Sequence, residues 1–251
     1  MDHVTEGHYY QSQIGSKNKV IAWSHQSRFD KALDLIGHGT QKLLDYGCGD
    51  GTFLALAQDR FVEGHGVDVD ADQISGCRDR LADIGNVQFF TNAELADPEH
   101  DGTYDVVTCM ETLEHCTAPV VETVLADVAR LVAPEGRVII SVPVEIGPSF
   151  MVKQSVRAIA RRQGASSYQL QERYPIGQAL KMLFARRGTS IDRPVYGDPP
   201  LTGHSHFGFN WRHLRGRVSH HLKVEHTLYT PLGFLGGWFS SQAYFVCRPK
   251  G

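Results

Sequence analysis

Residues 42–54, KLLDYGCGDGTFL, set a short apolar strand directly ahead of a loop with glycine at Gly47, Gly49 and Gly51. Three glycines within five residues let the backbone turn sharply and let a ligand approach main-chain atoms that a Cβ would shield. Thr52 and the LALA run behind the loop begin a helix, whose first N–H groups are free to face a ligand. Many tight turns contain glycines, so the loop gains meaning from Asp68. It lies 21 residues after Gly47, at the end of a second apolar strand in GHGVDVD, where a carboxylate can accept hydrogen bonds from both hydroxyls of a ribose.

The dinucleotide fingerprint requires a third glycine three residues after the second, and here Thr52 holds that position. A nicotinamide cofactor fits poorly. Asp45 introduces the loop, and its negative charge would repel a pyrophosphate while suiting a cationic ligand such as S-adenosylmethionine, with its ammonium and sulfonium. On these residues the sequence resembles the class I S-adenosylmethionine-dependent methyltransferases, whose first motif has this acidic, glycine-rich form.

Further along, strand and helix alternate. Helices are expected at 23–36, 52–58, 71–84 (ended by Gly85) and 120–132 (closed by the PEG turn at 134–136). Strands are expected at 42–45, 64–69, 87–90, 104–110 and 137–142. That rhythm predicts a parallel sheet with helices on both faces and ligands at the carboxyl ends of the strands. Residues 222–228 and 242–247 break it as two strands without a full helix between them, an antiparallel pair at the sheet edge. The fold class is therefore α/β, a Rossmann-like, mostly parallel sheet with an antiparallel C-terminal hairpin, and the resemblance implies seven strands. The expectation is a single domain over 1–251, with 144–208, too long and proline-rich for a simple loop, as a helical cap insertion on the substrate side.

The chain has 251 residues and a net charge of -3, which argues against a general nucleic-acid binder. The average conceals a local balance of +9 between residues 151 and 217 and -12 in the remainder. Five cysteines form no CxxC pair, as expected in a reducing compartment. No charged-then-apolar leader opens the sequence and no apolar run reaches the roughly 20 residues that span a bilayer, so the expected location is the cytoplasm.

YDVVTCMETLEHC, residues 104–116, delivers Glu111, Glu114 and His115 just beyond a buried strand. If a helical turn begins there, all three side chains can share one side. Here the resemblance narrows to the ubiquinone-biosynthesis O-methyltransferases and related small-molecule methyltransferases, which carry nearly the same string. It covers residues 28–142 and fades beyond. It implies that Met110 contacts the cofactor, that Asn92 and Ala93 lie beside the adenine, and that Arg28 reaches the methionine carboxylate. The bland reading of Arg28 is an exposed helix arginine.

His115 reads as a general base for an acceptor hydroxyl, with a helix-start histidine hydrogen-bonded to Glu111 or to nearby backbone as the structural alternative. Glu114 either orients the imidazole or acts on a helix N-terminus. The ExxEH string is also similar to that of the small-RNA 2′-O-methyltransferases, where such ligands hold a metal. On that less favoured reading Glu111, Glu114 and His115 bind a divalent ion, completed by His204 or His206.

In GHSHFGFNWRHLR, residues 203–215, His204, His206, Phe209 and Trp211 are candidate acceptor-pocket residues, and packing on the sheet is the plain alternative for the aromatics. The arginines between residues 157 and 217 favour a small anionic acceptor, phosphorylated or sugar-containing, since their forked geometry suits phosphate oxygens. The run PLGFLGGWF, residues 231–239, reads as a flexible loop that closes over substrate or touches a membrane. The expected function is O-methylation of a small acceptor from S-adenosylmethionine. The alternatives are a metal-dependent RNA 2′-O-methyltransferase and a non-catalytic S-adenosylmethionine-binding subunit.

Overall fold

The computed structural model describes Gly7 and residues 10–11, 19–162, 175–197 and 202–250, the side chains of 19–21 and 156–162 excepted. The rest of the polar arm before residue 19, the side chains of Arg157, Arg161 and Arg162, and Arg173 thus lie outside the described residues.

Helix α1 (Lys19–Ile36) leads into β1 (Thr40–Tyr46), α2 (Thr52–Ala57), β2 (Phe61–Asp68), α3 (Ala71–Arg80) and β3 (Val87–Thr91). Then follow α4 (Asn92–Leu95), β4 (Tyr104–Met110), α5 (Ala118–Leu131), β5 (Val132–Pro143), α6 (Pro148–Arg162) and α7 (Ile176–Leu183). A two-stranded ribbon, β6 (Val195–Tyr196) and β7 (Gly203–His204), precedes α8 (Trp211–His221), β8 (Leu222–Thr230), a 3₁₀ segment (Gly233–Trp238) and β9 (Gln242–Pro249).

The main sheet has seven strands in the order β3-β2-β1-β4-β5-β9-β8, parallel up to β5 and antiparallel after it. Side chains alternate across a strand, so each central strand feeds two cores. Leu44, Val107 and Ile140 point to one, where Val121, Val124, Leu125 and Val128 of α5 and Trp211, Leu214 and Val218 of α8 cover them. Leu43, Val106 and Ile139 point to the other, beneath Phe29 and Ile36 of α1, Leu54 of α2 and Ile74 of α3. The helical i, i+3, i+4, i+7 spacing of the α5 residues is what turns one continuous stripe onto the sheet.

Several boundaries differ from the sequence expectation, each for a local reason. Helix α3 stops at Arg80, not at residue 84, because Leu81 and Ile84 both turn inward, joined by a bond from Ile84 N–H to the Leu81 carbonyl. The PEG segment does not close α5 as a separate turn but lies within β5, where the pairing shifts register between Tyr104 and Val106. A Cβ at Gly136 would stand 2.8 Å from the Tyr104 carbonyl oxygen, which explains the glycine there. Residues 111–116 form a turn, and the helix waits until Ala118. In the 144–208 segment, α6 and α7 are helical as expected, and their Phe150 and Met182 enter the same core as the sheet.

Candidate active site

The loop after β1 is fixed by two N–H groups, those of Gly47 and Cys48, which both donate to the Val67 carbonyl at 2.8 and 2.9 Å. Gly47, Gly49 and Gly51 all have φ between 53 and 81°, a region that side chains strongly disfavour. A Cβ at Gly47 would collide with Thr112, and one at Gly51 would stand 2.8 Å from Leu81. At Gly49 it would meet nothing within 4 Å, so this glycine presents open backbone. The Gly49 N–H donates to Asp68 Oδ2 at 2.9 Å, and the Asp70 N–H to Oδ1 at 3.0 Å, so the acid is oriented by main chain from two sides. Asp45 is buried and accepts from Thr108 Oγ1 at 2.7 Å; burial raises its pKa to about 7, against that hydrogen bond. A carboxylate pair beside open glycine backbone suits a cationic nucleoside.

Asn92 and Ala93 open α4 at the carboxyl end of β3, where Thr91 and Glu94 form a reciprocal capping box. The sequence TNAE carries that signature, which would have revealed this short helix. Met110 ends β4 half-buried and packs against the α1 face of the core.

Glu111, the next residue, has φ 53°, a strained value for a residue with a Cβ. The conformation aims its carboxylate at Arg28, whose Nη1 lies 2.6 Å away, while Gln242 Nε2 donates at 2.9 Å. Burial, the largest single influence, would raise the acid's pKa, yet the Arg28 guanidinium, together with His206, the Gln242 hydrogen bond and Lys153, holds Glu111 below the usual carboxylate range. Arg28 is therefore not an exposed helix arginine: it is buried and paired with Glu111.

The three ionisable residues of the ExxEH string do not share one helical side. Glu111 turns to Arg28, Glu114 is completely buried, and His115 is half exposed. Neither Glu114 carboxyl oxygen has a hydrogen-bond partner among the described residues. Burial, reinforced by the nearby Glu111 charge, pushes its pKa well up. His115 Nε2 lies 3.8 Å from Glu114 Oε1, too far for a hydrogen bond, so Glu114 does not orient the ring by one. The His204 carbonyl does, 2.9 Å from His115 Nδ1. Because a carbonyl only accepts, Nδ1 carries the proton and Nε2 keeps its lone pair. Burial lowers the His115 pKa, partly offset by the His204 bond.

His206 joins this group, its ring 4.9 Å from that of His115. Glu114, His115 and His206 offer ligand atoms that all lie within 4.8 Å of one another; Glu111, expected with them as a metal ligand, is not in the group. Buried Glu145, just past β5, was missed from sequence; its Oε1 lies 2.8 Å from Lys153 Nζ and 3.5 Å from His206 Nδ1. A carboxylate immediately after an apolar strand, in VPVEIG, is the signal that could have found it. Phe209 and Trp211 are not pocket residues: both are buried, and Trp211 packs edge-on against Tyr229 in the core. The cations divide similarly. Arg212 donates to the Ala185 carbonyl, Arg215 to Thr227 and Arg217 to Glu122, bonds that secure α8. Arg193 donates to the carbonyls of Glu114, Ser205 and Phe207, tying the turn under His115 to the β7 segment.

An acid-flanked glycine loop at the carboxyl edge of a mostly parallel sheet places the molecule among the S-adenosylmethionine-binding α/β enzymes. The chain belongs to the methyltransferase domain family, whose model matches residues 22–191. It is 37% identical over 117 residues to the ubiquinone biosynthesis O-methyltransferase of Vibrio parahaemolyticus, a match covering 45% of this chain and 46% of that protein. That of Photobacterium profundum is 36% identical over 117 residues, with the same coverage. The chain thus spans about half the length of the curated relatives it matches. Among solved structures, the PH0226 protein of Pyrococcus horikoshii superposes with a TM-score of 0.60 at 17% identity, covering 96% of each chain. The geranyl diphosphate C-methyltransferase of Streptomyces coelicolor gives 0.54 at 13%, covering 98% of this chain and 84% of that one. These two likenesses are of fold.

Proposed function

We propose that the protein methylates a hydroxyl group of a small acceptor, with His115 as general base. The observation that carries this reading is the His115 imidazole at the carboxyl edge of β4, its Nδ1 proton engaged by the His204 carbonyl and Nε2 left to accept. Bound S-adenosylmethionine supplies an electrophilic methyl group on a sulfonium. Asp68, Gly47 and Gly49 would hold its ribose and methionine portions, Asn92 and Ala93 its adenine, and Asp45 and Met110 would line the cationic end. Arg28, paired with Glu111, would face the methionine carboxylate. There the donor would supply its methyl group to the acceptor oxygen, and His115 Nε2 would take the hydroxyl proton. Holding the two reactants in line provides much of the rate.

The curated relatives named as O-methyltransferases support oxygen as the nucleophile. Support for an anionic acceptor is thinner than the sequence suggested, because Arg212, Arg215 and Arg217 are engaged away from His115. Purified protein should be offered S-adenosylmethionine with catechols, other phenols and phosphorylated sugars, while S-adenosylhomocysteine release is followed. Turnover of one class that His115→Ala removes supports the reading, and turnover unaffected by His115→Ala overturns it. Calorimetry with Asp68→Ala tests the donor site separately.

A second reading keeps the same acceptor hydroxyl but adds a divalent cation at Glu114, His115 and His206. The unpartnered buried carboxyl beside two imidazoles favours it. Titration with Mn²⁺ or Zn²⁺ alone should then show one site that Glu114→Gln and His206→Ala each weaken, and no heat of binding would exclude it.

A further inference from the structure

The carboxyl edge of the sheet carries an apolar surface that neither core uses. Helix α7 buries Met182, yet Ile176, Leu180 and Phe184, spaced four residues apart on one side of the same helix, stand in solvent, Ile176 82% and Phe184 73% exposed. The adjoining 3₁₀ segment adds Phe234, 85% exposed, with Leu235, Trp238 and Phe239. Helix α6 touches both elements and contributes Met151 and Val152. The surface is rigidly attached: Ser149 Oγ donates to the Gly237 carbonyl at 3.0 Å, and Gly147 N–H to the Met182 carbonyl at 3.0 Å. Gln242 pairs with both Thr230 and Pro143, which aligns the entry to the 3₁₀ segment with the end of β5, on the side where His115 stands. Large side chains so exposed, on elements that touch, mark an interaction surface and not scattered surface residues.

Its charge selects the partner. Residues 148–155, 176–190 and 231–241 contain Lys153, Lys181, Arg186 and Arg187 and no carboxylate, in a chain whose net charge is -3. Lys181 and Arg186 are exposed beside the apolar stripe of α7. Lys153 is held by Glu145; among the described residues, aromatic and aliphatic side chains beside the exposed Lys181, Arg186 and Arg187 match the boundary of an anionic bilayer, where the rings enter the acyl region and the cations meet the headgroups. A second copy of the chain would bring the same cations against themselves. We propose that this surface docks the enzyme on an anionic phospholipid bilayer, so that acceptors of low water solubility reach His115 from the lipid side. No helix of the described residues is long and apolar enough to cross a membrane, and the attachment is peripheral.

The test is flotation of the full chain with vesicles of phosphatidylcholine alone and of phosphatidylcholine with phosphatidylglycerol. The expected result is co-flotation with the anionic vesicles, at least about tenfold weaker with neutral ones or in high salt. Phe234→Ser with Trp238→Ser should abolish it while circular dichroism and melting temperature hold, and Lys181→Glu should weaken it. Should the double variant misfold, quenching of tryptophan fluorescence by brominated lipid that is present in the unaltered chain and lost in Trp238→Phe reads insertion directly. Absence of flotation and quenching, or binding that the double variant leaves unchanged, overturns the proposal. So does a dimer in sedimentation that Phe234→Ser dissociates, which would assign the surface to a second copy.

Discussion

Glu114 has a carboxyl that water cannot reach, no hydrogen bond to either oxygen among the described residues, and the Glu111 carboxylate nearby. Its folded-state pKa is raised, so its contribution to stability is complete below the ordinary carboxylate value and is lost as pH rises through the raised one. Glu114→Gln should therefore melt close to the parent protein at acid pH. It should become the more stable of the two by about 1–3 kcal/mol at alkaline pH; parallel melting curves across the range would contradict this. For His115 the shift runs downward, so the base stays deprotonated to lower pH than free imidazole does. The acid limb of kcat should fall at a pH below about 6.5, and His115→Ala should remove the limb and lower kcat by roughly 10²–10⁴-fold. The sequence put both residues at the edge of the site, because a buried strand must end there. It could not show that the chain turns at Glu111 with a positive φ, since its partners, Arg28 83 residues earlier and Gln242 131 residues later, are remote in sequence. Phe209 and Trp211 misled for the converse reason: aromatics between histidines look alike whether they face a pocket or a core.

At the scale of elements, the glycine loop and the turn after β4 are one packed unit. Gly47 has room for no side chain because Thr112 stands over it, and Thr112 Oγ1 bonds to the Met110 carbonyl at 3.1 Å. Gly47→Ala should destabilise the protein by about 2–4 kcal/mol, from the clash and the left-handed backbone together. Adding Thr112→Ala should recover the steric part only, a non-additivity that urea titration of the four proteins would measure. Equal losses in both backgrounds would show the loop and turn to be independent. The elements themselves were readable where hydrophobic period is strong, as in β1, β4 and α5. Boundaries moved where long-range packing competes with local signals. Gly85 looks like a helix stop, but the inward turn of Leu81 and Ile84 ends α3 a turn earlier. PEG looks like a loop, but the β4 partner captures it as an irregular part of β5.

Across the whole molecule, stability resides in two cores separated by the sheet, while the ionisable groups of the site collect at one edge of it. Leu125 is fully buried in the α5 core and is not among the residues that hold donor or base. Leu125→Ala should cost about 2–5 kcal/mol and leave S-adenosylmethionine affinity of the folded fraction unchanged, as calorimetry below the melting transition would show. A parallel loss of affinity would mean that the sheet transmits strain from core to edge. The sequence specified this separation through strand–helix alternation, but not the strand order, because which strand lies beside β5 depends on partners roughly 100 residues away.

That order has a bearing on how the protein is made. β9 lies between β5 and β8, so β5 lacks one neighbour until residues 242–249 exist. A ribosome adding about 5–20 residues per second takes roughly 5–20 s to pass from the end of β5 to the start of β9. For that time the Val138–Pro143 half of β5, an apolar stretch with one open row of N–H and C=O groups, forms the edge of any sheet the nascent chain has built. The greatest risk of misassociation therefore falls during translation, on a strand that the finished enzyme keeps covered on both sides.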